Sequence, residues 1–167
     1  MSLSNALLET FNTTEEDLFN ALKRDVSEIF ITMVGLEDLM HLPVQIDPVT
    51  EFKDCISSMV GLGGKYSGLI SLHMPSELAE KTTCQMLGLR TVSQEDVRDA
   101  MGEIANMIGG SFKSHISQTS LDVHLSIPSV VYGKEYVISL CNNPNQIAVR
   151  FATEDEWFMV AVAFEEN

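Results

Sequence analysis

Two hydrophobic periods divide the chain. Between Thr13 and Val34, Leu18, Leu22, Val26, Ile29 and Met33 recur every three or four residues, opposite the polar Glu15, Lys23, Arg24 and Glu28. This is the pattern of a helix with one buried stripe. Thr13-Thr14-Glu15-Glu16 supplies a capping box at its start, and Gly35 a stop. Residues 1–12 read as a loosely held lead-in. Leu36 to Met40 could add a turn, His41-Leu42-Pro43 breaks the chain, and Val44 to Val49 reads as a short extended piece that Pro48 confines to an edge or loop. Phe52 to Leu62 alternates imperfectly and Tyr66 to Met74 returns, with Gly61, Gly63 and Gly64 as the turn region of a hairpin. Pro75-Ser76-Glu77 opens a second helix that ends at Gly88. After residue 122 the period becomes two. Val123, Leu125 and Ile127 alternate with His124 and Ser126. Glu135 to Cys141 and Gln146 to Ala152 are predicted strands joined by Asn142-Asn143-Pro144-Asn145, and Thr153-Glu154-Asp155-Glu156 turns the chain into Trp157 to Phe164. That last strand is apolar on both faces, so it must be central or covered by a second subunit. Helix, hairpin, two helices and a run of antiparallel strands make an α+β fold, with long helices on one face of a mostly antiparallel multi-stranded sheet.

The helix between the second helix and the late strands carries the most information. At about 100° per residue, Val97, Met101, Ile104, Ile108 and Phe112 form one buried face. Asp99, Glu103, Asn106 and Gly110 fall on the opposite side, within roughly 60°, as a straight polar ridge. Ser93 is a suitable N-cap, with Asp96 in the reciprocal position. Gly102, Gly109 and Gly110 each cost about 0.5–1 kcal/mol relative to alanine inside a helix. On the helical wheel they lie on or beside the ridge, where they would lower the surface around Glu103 and Asn106 for an approaching backbone or phosphate. Gly109-Gly110 could instead end the helix, or the glycines could serve close packing on a sheet.

Composition narrows the chemistry. A chain of 167 residues with 45% hydrophobic and 20% charged residues fits one soluble domain, 1–167. No apolar run approaches the ~18 residues of a membrane span, and the N-terminus lacks the pattern of a signal peptide. Cys55, Cys84 and Cys141, far apart and odd in number, fit a reducing cytoplasm. A net charge of −14 argues against nucleic acid and anionic membrane as partners. His41, His73, His115 and His124 have no spacing suited to metal, so no metal site is expected. Gly61-Leu62-Gly63-Gly64 sits in a hairpin rather than before a helix, which removes it as a nucleotide fingerprint, and Gly-x-Ser-x-Gly is absent.

The ridge resembles the signature of the CheC/CheX/FliY family of chemotaxis phosphatases: Asp or Ser, three residues, Glu-x-x-Asn, and a nearby Gly. Here these are Asp99, Glu103, Asn106 and Gly110, and a single copy is similar to the CheX branch. The short form alone is unspecific, since Glu9-Thr10-Phe11-Asn12 matches it. Ile127-Pro128-Ser129-Val130-Val131-Tyr132-Gly133 also looks like the family's Pro-x-Val-Val-x-Gly segment, so the resemblance spans roughly residues 14 to 164. It implies hydrolysis of the aspartyl phosphate on a CheY-type response regulator. Asn106 would orient the attacking water and Glu103 would pair with the regulator's active-site lysine, both as catalytic residues. Asp99, Gly102 and Gly110 would bind the partner. No cofactor of its own is implied; Mg2+ is expected on the regulator, and a homodimer is typical. A non-catalytic interaction domain of the same fold, like the middle domain of flagellar switch proteins, is the alternative.

Overall fold

A computed structural model describes residues 3–64, 66–116, 123–140, 145–154 and 156–165. Cys141, most of the 142–145 turn and Asp155 lie outside the described residues. The elements in chain order are α1 (Asn5–Phe11), α2 (Glu15–Ile29), β1 (Met40–His41), β2 (Glu51–Gly64), β3 (Gly68–Pro75), α3 (Ser76–Leu87), α4 (Gln94–Ile116), β4 (Val123–Leu125), β5 (Ser129–Val137), β6 (Asn145–Ala152) and β7 (Trp157–Phe164). The α+β expectation holds. Antiparallel pairing runs β1-β6-β7-β3-β2, and the 14-residue β2 carries β4 and β5 end to end along its remaining edge.

The N-terminal lead-in is ordered, contrary to expectation. Ser4 caps α1 by accepting from the Leu7 N–H, and Leu3, Leu7 and Phe11 are buried in the main core. Phe11 packs 5.1 Å from the Phe164 ring and 5.6 Å from that of Tyr66. Burial of three apolar side chains holds a helix that its length alone would not. Thr14 caps α2 through the Asp17 N–H, and α2 passes into a π-helical turn over Phe30–Val34 before Gly35 stops it at φ 75°. Residues 36–39 add no further helical turn.

Strand β7 lies between β6 and β3, the central position. Its core-facing Phe158, Val160, Val162 and Phe164 join the helices, and its outer Met159 and Ala161 are buried by a second cluster with Phe52, Ile46 and Ile138. The chain therefore covers both faces of β7 itself. The imperfect alternation of β2 has a local cause. Phe52 and Ile56 share a parity, yet Ile56 enters the main core while Phe52 stacks on His73 of the outer face, 4.4 Å between ring centroids. The switch falls at Asp54, whose φ of 48° turns the strand over.

Candidate functional site

Helix α4 is fixed at its start, its buried face and its end. Ser93 Oγ accepts from the Asp96 N–H at 3.1 Å, and Asp96 Oδ2 accepts from the Ser93 N–H at 2.8 Å, a reciprocal cap with Asp in place of Glu. The Ser93 backbone and hydroxyl donors hold the Asp96 carboxyl below its usual range. Val97, Met101, Ile104, Ile108, Phe112 and Ile116 are buried in the main core. Near the C-terminus His115 Nε2 meets Asp25 Oδ2 of α2 at 2.6 Å, a brace that no periodicity in the sequence could reveal. A basic residue in the last turn and Glu95 and Asp96 in the first both suit the helix dipole.

The helix faces are as the wheel places them. Asp99 and Glu103 are exposed, Asn106 is partly exposed and Gly110 is exposed with nothing within 4 Å of its would-be Cβ. The three glycines, however, divide. The helix runs on to Ile116, so Gly109-Gly110 does not end it. Gly102 and Gly109 are buried on the flank of the ridge. A Cβ on Gly102 would sit 3.5 Å from Pro128 Cβ, and one on Gly109 would sit 3.4 Å from Val60 Cγ1 and 3.5 Å from Leu125 Cδ2. These are ordinary contact distances that leave room for a methyl group. Gly102 and Gly109 thus lie on the side of the helix turned toward Pro128, Val60 and Leu125, and Gly102 is buried there rather than open on the ridge. Gly110 keeps the open surface expected of it.

The segment beside that flank departs from its predicted alternation. β4 ends with Leu125 opposite Leu62, and β5 begins with Ser129 opposite Met59. Ser126, Ile127 and Pro128 therefore stand opposite only Val60 and Gly61, a β-bulge with one extra residue. Ser126 pins it: its N–H donates to the Gly61 carbonyl at 2.9 Å, and its Oγ accepts from the Gly61 N–H at 2.8 Å and donates to the Ile127 carbonyl at 2.9 Å. A Cβ on Gly61 would lie 3.3 Å from Ser126 Oγ, so the close approach favours glycine there. The extra residue turns Ile127 outward, where alternation would have buried it. Further along, the strand expected at Glu135–Cys141 begins earlier, so the Pro-x-Val-Val-x-Gly segment lies largely within β5.

Among the described residues no group of three or more His, Cys, Asp or Glu side chains could hold a metal ion, and no helix is long and apolar enough to cross a membrane. The ridge is an uncharged amide beside two acidic side chains on one helix face: it can position water and bind a cation, and it carries no Ser, Thr, Cys or Lys to act as a nucleophile.

The family described as Chemotaxis phosphatase CheX matches residues 56–152, more than half of the chain. A Thermotoga maritima relative, CheY-P phosphatase CheX, is 26% identical over 123 residues, covering 72% of this chain and 79% of that protein. A chemotaxis protein structure from Desulfovibrio vulgaris Hildenborough is 25% identical with a TM-score of 0.77, covering 89% of this chain and 97% of the other. A Borrelia burgdorferi CheX, solved in complex with CheY, BeF3 and Mg2+, shares the fold with a TM-score of 0.73 at 20% identity, covering 90% of this chain and 99% of the other. The family match and this shared architecture, with helix α4 across an antiparallel sheet, place the chain in the CheX family of chemotaxis phosphatases.

Proposed function

We propose that this protein hydrolyses the aspartyl phosphate of a phosphorylated CheY-type response regulator, with Glu103 and Asn106 as its catalytic residues. The carrying observation is the ridge on α4, where Glu103 and Asn106 stand one turn apart on the solvent side of a helix buried along its opposite face. The Thermotoga maritima relative is a CheY-P phosphatase, which supports the same substrate class for this chain.

An acyl phosphate needs little covalent help. Its hydrolysis is limited by positioning of water and by charge on the phosphoryl oxygens. In this reading α4 docks against the regulator's phosphorylation site. The Asn106 carboxamide accepts from one water and orients it in line with the breaking P–O bond. Glu103 pairs with the regulator's lysine and fixes the register of the helix, while Asp99 and Gly110 border the contact. Mg2+ belongs to the regulator and neutralises the phosphoryl oxygens there. Homodimerisation, an expectation from the family, no longer draws support from β7, and sedimentation at micromolar concentration tests it.

Dephosphorylation measured against regulator concentration tests the assignment. Asn106→Ala should lower turnover at saturation by roughly 10²–10³ while leaving binding intact. Its stability should change by less than about 0.5 kcal/mol, as for other surface sites. Glu103→Ala should weaken binding and turnover together. Near-normal turnover by Asn106→Ala would make the ridge a recognition surface only, and the non-catalytic interaction domain would take the place of the enzyme.

A further inference from the structure

The bulge at Ser126–Pro128 presents a side chain that the fold has no use for. Ile127 is 86% exposed, whereas Val137 at 64% and Val44 at 63% come next among the exposed large hydrophobic residues. An isoleucine this exposed usually sits on a mobile loop, but this one does not. Ser126 holds the segment to β2 through two hydrogen bonds with Gly61 and braces it internally through a third to the Ile127 carbonyl, and Pro128 packs under α4 at Gly102. A pinned bulge that re-aims one apolar side chain into water is a device for presenting it.

Its position along α4 is fixed by its neighbours. Leu125 lies against Gly109 and Pro128 against Gly102. Seven residues of helix rise about 10 Å, and three residues of extended chain span about 10 Å, so the two run side by side. Ile127 falls between these contacts, at about the level of Glu103 and Ile104. It borders the ridge on the flank where the helix has no side chains of its own. We infer that Ile127 is an affinity-determining contact for the phosphorylated response regulator, seated on an apolar surface beside the regulator's phosphorylation site. This rests on the reading of the ridge as the regulator's docking surface.

Charge supplies the reason such a contact is needed. The chain carries a formal −14, and the ridge itself bears Asp99 and Glu103. A partner presenting a phosphoryl group meets repulsion at long range. An apolar contact beside the site adds affinity that neither opposes the phosphate nor vanishes with salt.

The test is titration of a CheY-type regulator, loaded with beryllofluoride and Mg2+, against the wild-type protein, Ile127→Ala and Ile127→Asp. Losing most of a buried isoleucine should raise Kd roughly tenfold for Ile127→Ala, and at least as much for Ile127→Asp. KM for dephosphorylation should follow Kd, turnover at saturation should stay within about twofold, and the melting temperature should not fall. Unchanged Kd in both variants overturns the inference. A change of oligomeric state in Ile127→Asp also overturns it, because the side chain then belongs to a contact between copies. Wild-type protein that binds the regulator without dephosphorylating it would sink the catalytic reading alone. Wild-type protein that does not bind the regulator would sink both.

Discussion

At the scale of single residues, the glycines of α4 separate packing from recognition. Gly102 and Gly109 are buried against Pro128, Val60 and Leu125, whereas a Cβ on Gly110 would meet nothing within 4 Å. A helix-interior glycine with open space is a stability cost of about 0.5–1 kcal/mol against alanine. Gly110→Ala should therefore stabilise the protein by about that amount in chemical denaturation. If the partner lies close over the ridge, the same methyl group should raise KM for the phosphorylated regulator. A variant that is more stable and equally active would mean that Gly110 has no part in docking. The opposite signs make the substitution informative: no purely structural role for Gly110 predicts a gain in one measurement and a loss in the other.

At the scale of elements, the helices were the legible part and the sheet's irregularities were not. Ser93 and Asp96 announce the start of α4, and the structure realises both halves of the cap at 3.1 and 2.8 Å. Ser93→Ala should cost about 1 kcal/mol by loss of that cap, read as a shift in the denaturation midpoint without a change in slope. The polar ridge was equally legible, because a helix of 23 residues has one period and both faces follow from it. What escaped depends on partners distant in sequence. The lead-in is ordered by burial of Leu3, Leu7 and Phe11 in the main core, where Phe11 meets Tyr66 and Phe164. Gly102 and Gly109 fell on the correct side of the wheel, but the wheel cannot say that a strand connection already occupies that side. The bulge at Ile127 adds one residue against β2, and period two has no signal for such an insertion. Asp54 reverses the faces of β2 in the same hidden way. Strand β7 left two readings open, central or covered by a second subunit. The first is realised, with Phe52 and Ile138 on its outer side.

At the scale of the whole molecule, the sheet separates two environments with different sensitivity to acid. One face supports α4 and leaves its ridge in water. The other buries a polar chain in which Ser57 Oγ lies 2.7 Å from His73 Nδ1 and 2.8 Å from the Tyr136 hydroxyl, under the stacked ring of Phe52. Burial pushes the His73 imidazole down to about 4 and the Tyr136 phenol up to about 12, so both are neutral across the physiological range. The sign of the linkage follows. Unfolded, His73 titrates near 6.5 and takes up its proton there; folded, it resists protonation until about 4. Between those values the unfolded chain holds more protons, so stability is full above pH 6.5 and declines as the pH falls toward 4. The loss attributable to this one group is about 3 kcal/mol. His73→Gln keeps a hydrogen-bonding side chain beside Ser57 but removes the titration. It should be less stable than the wild type at pH 8, having lost the ring stacked on Phe52. That gap should narrow as denaturation is repeated at successively lower pH, because only the wild type loses the histidine contribution. A gap that stays constant from pH 8 to pH 4 would mean that His73 is protonated in the folded protein as easily as in the unfolded chain, and that the outer face admits water to the ring.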